Sequence, residues 1–299
     1  LYVSNALPPH AVTVYAQGSS KPSRSITHVA GGAMTFDTLG NLYASNGAFD
    51  GGEISIYAAG KTKLLRQIRN LLDPYALKVD TLGYLYVACA ADYVLVYAPG
   101  DTQIFHVIRH GTKGSIALGF DDAGNLYVAN EGSSTVTVYG PGKTQGYPKL
   151  VHKIEGLHHP IALAFGPSGN LFVANHHSVY VFEAGSLTLL RTITGIRSAA
   201  AIAIDSIGRL YVSSTPFTTH QGYQPGWVTV YPAGGTKALR KITEGIDVPK
   251  AVAVDREDNV YVANAWNSSV TVYSPGGTKR LRTITDGVSG PEFLAFNSQ

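Results

Sequence analysis

The stretch GNLYVAN, residues 124–130, is one of seven versions of a single phrase. The others begin at Leu1 (LYVSN), Leu42 (LYASN), Leu85 (LYVAC), Leu171 (LFVAN), Leu210 (LYVSS) and Val260 (VYVAN), at intervals of 39 to 50 residues. Each copy sits in a fixed series. A short apolar segment, a, comes first: AMTFD, YALKVD, IALGFD, IALAFG, AIAID, AVAVD and FLAFN. A Gly turn such as DDAGN leads to the phrase itself, b. After a variable loop comes c, of the type VTVY, and after a second turn comes d, of the type LLRTIT. Four short β-rich segments cut by Gly turns make an antiparallel meander. Such a unit repeated every ~43 residues is a propeller blade. The predicted fold is all-β: a seven-bladed β-propeller of four-stranded antiparallel blades, one domain over residues 1–299.

The two ends of the repeat series agree. The chain opens at a strand b and finishes with a strand a, EFLAFN at 292–297, that has no b after it. Pairing the last strand with the first completes the seventh blade in a 3+1 closure and removes two open sheet edges.

The repeat also accounts for most of the 18 tyrosines. Tyr2, Tyr43, Tyr86, Tyr127, Tyr211 and Tyr261 share one strand-b position, with Phe172 in the remaining copy. Tyr15, Tyr57, Tyr97, Tyr139, Tyr231 and Tyr273 share one strand-c position, with Phe182 in the remaining copy. These are read as packing between blades. The Asp after strand a (Asp37, Asp80, Asp121, Asp205, Asp255) is read as a turn residue, because its side chain bonds its own backbone readily.

Composition excludes several classes. A net charge of +3 is too small to imply a nucleic-acid partner. Cys89 is the single cysteine, so there is no internal disulfide and no Cys-based zinc site. No apolar run approaches the ~20 residues of a membrane span. The chain begins LYVSN without Met, as a trimmed chain would, and is expected to be secreted or periplasmic and monomeric.

Through the GNLYVAN phrase and the PIALAF approach to strand a, all seven repeats resemble NHL-type propellers. That resemblance implies the fold. The broad group holds streptogramin lyases, gluconolactonase-like enzymes and binding or scaffolding modules, so it does not choose an activity.

Function is sought on the face carrying the b–c and d–a loops, which vary in length and chemistry. His158-His159 end a d–a loop and His176-His177 open the b–c loop of the same blade. Opposed positions on such a hairpin have Cβ atoms ~5 Å apart, near enough for His159 and His176 or His177 to share a divalent metal or tune one another. The next b–c loop, residues 215–227, is a long insertion carrying His220, Tyr223 and Trp227, expected to overhang the His blade, and Arg197 points to the same rim. Streptogramin lyases place a base histidine beside the start of strand a. His159 before Pro160 is the nearest match, and the resemblance then assigns enolate stabilisation to His177 or Arg197.

The sequence requires no cofactor. The first expectation is a propeller binding a small molecule, glycan or protein, with His158, His176, His220, Tyr223 and Trp227 as ligand contacts. The alternative is a lyase- or lactonase-like enzyme using His159, His177 and Arg197, with a metal, if present, on His159, His176 and His177. A third reading is an interaction module of a larger surface protein. Two further features stand out. Lys78 breaks a row of small residues in strand a and is expected to reach channel water or bind an anion there. The basic residues of strand d, including Arg66, Arg240, Lys241 and Arg282, are read as charged outer edges that block sheet-to-sheet pairing.

Overall fold

The computed structural model describes residues 1–29, 31–46, 51–89, 92–141, 148–215 and 223–297. The described strands form seven four-stranded antiparallel sheets, each in the order a, b, c, d. The first blade takes strand a from the end of the chain: Pro291–Ala295 pairs with Tyr2–Asn5, followed by Ala11–Tyr15 and Pro22–Thr27. Tyr2 faces Ala295 and Val3 faces Leu294, the 3+1 closure expected. Strands a to d of the third blade are Pro74–Val79, Leu85–Cys89, Tyr93–Tyr97 and Ile104–Ile108. Those of the fourth are Ser115–Phe120, Leu126–Asn130, Thr135–Gly140 and Lys149–Ile154. The fifth has Pro160–Phe165, Leu171–Asn175, Ser178–Phe182 and Leu189–Ile193. The sixth has Ala199–Ile204, Leu210–Ser214, Trp227–Tyr231 and the short Arg240–Ile242; the seventh has Pro249–Val254, Val260–Asn264, Ser269–Tyr273 and Arg280–Ile284. The fold class is a seven-bladed β-propeller. Among the described residues no helix is long and apolar enough to cross a membrane.

The chain groups into two compact units, residues 1–28 with 164–296 and residues 29–163 with 297–299. In the first, Tyr211, Val228 and Val230 of the sixth blade pack on Val252, Val260 and Val262 of the seventh. The seventh in turn packs Val270, Val272 and Tyr261 on Val3 and Tyr15 of the first. In the second unit, Tyr86, Val94 and Val96 of the third blade meet Leu118, Leu126 and Val128 of the fourth. Strands b and c are therefore buried on both faces, while most of strand d is exposed. Each fully buried Val or Leu contributes roughly 1.5–3 kcal/mol. The repeated tyrosines are buried as expected. On strand c they also reach across: Tyr139 donates to the carbonyl of His110 and Tyr273 to that of Glu244, both in the loop of the preceding blade.

Two turn devices recur. Asp121 accepts the backbone N–H of Asn125 at 2.8 Å, and Asp205 does the same for Arg209 at 2.8 Å, so the repeated Asp is a turn residue. At the opposite end of strand a the preceding residue is left-handed in six blades: Asp73 (φ 47°), Gly114 (63°), His159 (52°), Ser198 (46°), Val248 (52°) and Gly290 (55°). The corner is a property of the fold, and His159 occupies it.

Some basic residues of strand d do not lie at free outer edges. Arg282 donates to the Tyr261 hydroxyl at 3.0 Å, and its guanidinium lies 5.7 Å from that ring's centre. Arg24 treats Tyr2 in the same way, at 2.7 and 5.7 Å. The planar guanidinium gains more from stacking on an aromatic face than from solvent alone.

Candidate functional site

The left-handed corner fixes the base of the d–a loop in six blades, and a buried Asn at the end of strand b ties two of these loops down. Asn264 accepts the backbone N–H of Asp247 at 3.1 Å and donates to Thr271 Oγ1 at 3.1 Å. Asn5 does the same for Ser289, at 3.0 Å, and Thr13. These loops are thus held at defined positions, as a binding face needs.

In the first unit, the loop after Leu189–Ile193 brings Arg197 to a cavity of about 380 Å³. Its other walls come from the sixth blade: Trp227, Thr229 and Tyr231 on strand c, Thr236 in the turn, and Lys241 on strand d. Lys241 faces Thr229 across the ladder and holds its ammonium 3.2 Å from the centre of the Trp227 ring. Burial, and then the charge of Arg197, lower the Lys241 pKa. Two cations, one indole and three threonines therefore line one opening, with no carboxylate among its described walls. Such a lining attracts an anion and offers it hydroxyl donors.

The insertion of the sixth blade is anchored at both described ends. Thr215 N–H donates to Ser198 O at 2.9 Å, its hydroxyl donates to Pro249 O at 2.8 Å, and Pro225 O accepts Val248 N–H at 2.6 Å. These described ends are fastened towards the following, seventh blade. Tyr223 lies 5.9 Å from Trp266 of that blade, centre to centre, and the two rings are 48% and 73% exposed. His220 lies outside the described residues.

His176 and His177 form the whole turn between strands b and c of the fifth blade, where Asn175 pairs with Ser178. Their rings are 6.2 Å apart, and His176 O accepts Ala199 N–H at 3.0 Å. His158 and His159 are exposed in the other unit, and His159 N–H contacts Ser134 Oγ at 3.4 Å. Among the described residues, no three His, Cys, Asp or Glu side chains cluster closely enough to hold a metal. Cys89 is fully buried, and burial pushes its thiol up to about 12, which makes it an inert packing group.

Lys241 escaped the sequence reading, whereas Lys78 stands out in it. Lys241 was placed with the edge-blocking charges, although its spacing from Arg240 marks a different face of the strand. Lys78 is accessible to solvent, yet so enclosed that desolvation lowers its pKa.

No family model matches the chain, and no curated protein does. Solved structures do. A protein from Lactobacillus plantarum is 18% identical with a TM-score of 0.80, covering 97% of each chain. A candidate 6-phosphogluconolactonase from Bacteroides uniformis is 14% identical with a TM-score of 0.80, covering 98% of this chain and 97% of its own. A chain of Kuenenia stuttgartiensis hydrazine synthase is 17% identical with a TM-score of 0.73, covering 92% and 91%. At these identities the likeness is one of fold, and the differing activities named for two of the neighbours underline that.

Proposed function

We propose that this NHL-type propeller binds a small anionic ligand, such as a sugar acid or sugar phosphate, in the cavity between Arg197 and Lys241. The observation that carries the reading is the convergence of those two cations on Trp227 in a cavity with no described carboxylate wall. Arg197 supplies a planar fork for a carboxylate or phosphate, Lys241 supplies a point charge, and the indole offers a face to the carbon skeleton. The exposed Tyr223–Trp266 pair supports ligand contact elsewhere on the same variable loops. The alternative, a lactonase-like enzyme using histidine acid–base chemistry, draws support from the activity named for the Bacteroides uniformis neighbour.

The chain has two tryptophans, so Trp227 can be followed alone in a Trp266→Phe background. Titration with 6-phosphogluconate is expected to change its fluorescence saturably, and the neutral polyol sorbitol is not. The Arg197→Ala, Lys241→Ala double variant is expected to lose the response while melting normally. A response equal for both probes, or unchanged in the double variant, would sink the proposal. Hydrolysis of the corresponding lactone above its spontaneous rate, lost on His159→Ala, would move the conclusion to the enzymatic alternative.

A further inference from the structure

A second cavity, of about 520 Å³, opens in the other unit, among the a–b turns of the third and fourth blades. It has the opposite chemistry. Its described walls include Tyr84, Tyr86, Phe105 and Phe120 together with Asp80 and Asp121, and no lysine or arginine. Tyr84 meets Phe105 with ring centres 5.4 Å apart, and Tyr86 meets Phe120 edge to face at 5.2 Å.

The third blade departs from the repeat at two places here. In the second, fourth, sixth and seventh blades the second carboxylate oxygen of the turn Asp receives a donor from the residue four positions on. Asn41 donates to Asp37 at 2.8 Å, Asn125 to Asp121 at 2.8 Å, Asn259 to Asp255 at 3.0 Å and Arg209 to Asp205 at 2.5 Å. In the third blade that residue is Tyr84. Asp80 Oδ1 still accepts the backbone N–H groups of Leu82 and Tyr84, but Oδ2 accepts a long hydrogen bond, 3.3 Å, from the Tyr86 hydroxyl. Burial raises the pKa of this carboxyl, as a poorly compensated charge requires.

The second departure is on strand d. The arginine that stacks on the strand-b ring at 5.7 Å in the first, fifth and seventh blades is His106 in the third, opposite Val96. Desolvation lowers the pKa of His106, which favours its neutral form. The third blade thus carries Tyr84 where other blades place a donor to the turn Asp, and His106 where three blades stack an arginine, and a cavity lined by Asp80 and Tyr86 opens there.

We propose that this cavity binds an organic cation, a primary or secondary amine on an apolar or aromatic skeleton, with its ammonium on Asp80 Oδ2 and its carbon frame against Tyr84, Tyr86, Phe105 and Phe120. The ammonium supplies the donor that Asn gives to the equivalent Asp elsewhere, and the rings stabilise the positive charge through their faces. This site is independent of the anion cavity.

The test compares benzylamine with benzyl alcohol, a neutral molecule of nearly the same shape, by calorimetry at neutral pH. Benzylamine is expected to bind at least about tenfold more tightly, the scale of one charge-assisted contact. Asp80→Asn removes the charge and is expected to bring benzylamine down to the level of the alcohol. Tyr84→Asn installs the residue found at the same turn position in Asn41, Asn125 and Asn259, so it is expected to fold, to satisfy Asp80 internally and to abolish the preference. Equal affinity for the two probes, no saturable binding of either, or a preference that survives in both variants would overturn the assignment.

Discussion

Val248 donates its backbone N–H to the carbonyl of Pro225 at 2.6 Å while holding φ at 52°. A β-branched residue in the left-handed region is strained by roughly 1–2 kcal/mol. The bond to Pro225, and a second from Ala265 N–H to Val248 O at 3.1 Å, hold it there. Val248→Gly keeps both bonds and removes the clash, so it is expected to stabilise the protein by about 1 kcal/mol, read as a higher urea midpoint at constant slope. Gly290 at the equivalent corner is the converse. A Cβ there would stand 2.7 Å from Leu7 Cγ, so Gly290→Ala is expected to lower the midpoint. A Val248→Gly variant less stable than the parent would show that the side chain, not the backbone, is what the corner needs.

The Lys241–Trp227 contact has a measurable contribution of its own. Exposed cation–π pairs contribute about 0.5–1 kcal/mol. Lys241→Met keeps much of the stem but removes the charge, and is expected to cost about that much. Lys241→Arg is expected to recover it. If Met and Arg variants unfold at the same denaturant concentration, the contact is incidental.

Buried Asn264 joins strand b, strand c and the d–a loop through one amide. Asn264→Ala leaves Asp247 N–H and Thr271 without that partner, at about 1–3 kcal/mol for an unsatisfied buried group. Hydrogen exchange at Asp247 is expected to accelerate with the loss. Unchanged protection there would mean that the loop is held by other contacts.

Alkaline pH is expected to destabilise the fold through its tyrosines. Burial, aided by nearby Asp286 and Asp255, pushes Tyr15 and Tyr261 up to about 12, and it raises Tyr86, Tyr127 and Tyr211 as well. An unfolded tyrosine ionises near ~10. Above that pH the unfolded chain releases protons that the native state keeps, so stability falls as pH rises from ~10 towards 12. Lys78 has the opposite sign, because its lowered pKa makes the unfolded state bind more protons, but it is one group against several. Urea midpoints taken from neutral to strongly alkaline pH are expected to drop only in the upper window. A flat profile through it would contradict the burial argument.

The strands, the closure and the turn role of the repeated Asp could all be read in the sequence, because each is repeated and periodicity separates rule from accident. The sites are departures from the repeat, and their meaning depends on what stands next to them in space. Tyr84 reads as one more aromatic until Asn41 and Asn125 show what it has replaced beside Asp80. Trp227 and Arg197 were noticed as unusual residues, but Lys241 was hidden among other basic residues of strand d. The positive φ of His159 has no sequence signature at all, because Asp, Gly, Ser and Val fill the same corner.

The ladder between Tyr2 and Ala295 carries a temporal consequence. A ribosome delivers Tyr2 long before Ala295, so strand Tyr2–Asn5 waits for its partner while the six blades between them are made. Until then its backbone groups stand open at a sheet edge, the surface most liable to capture another chain. Pairings of such wide sequence separation also form slowly. The propeller's most exposed interval therefore falls between the emergence of strand Tyr2–Asn5 and that of strand Pro291–Ala295.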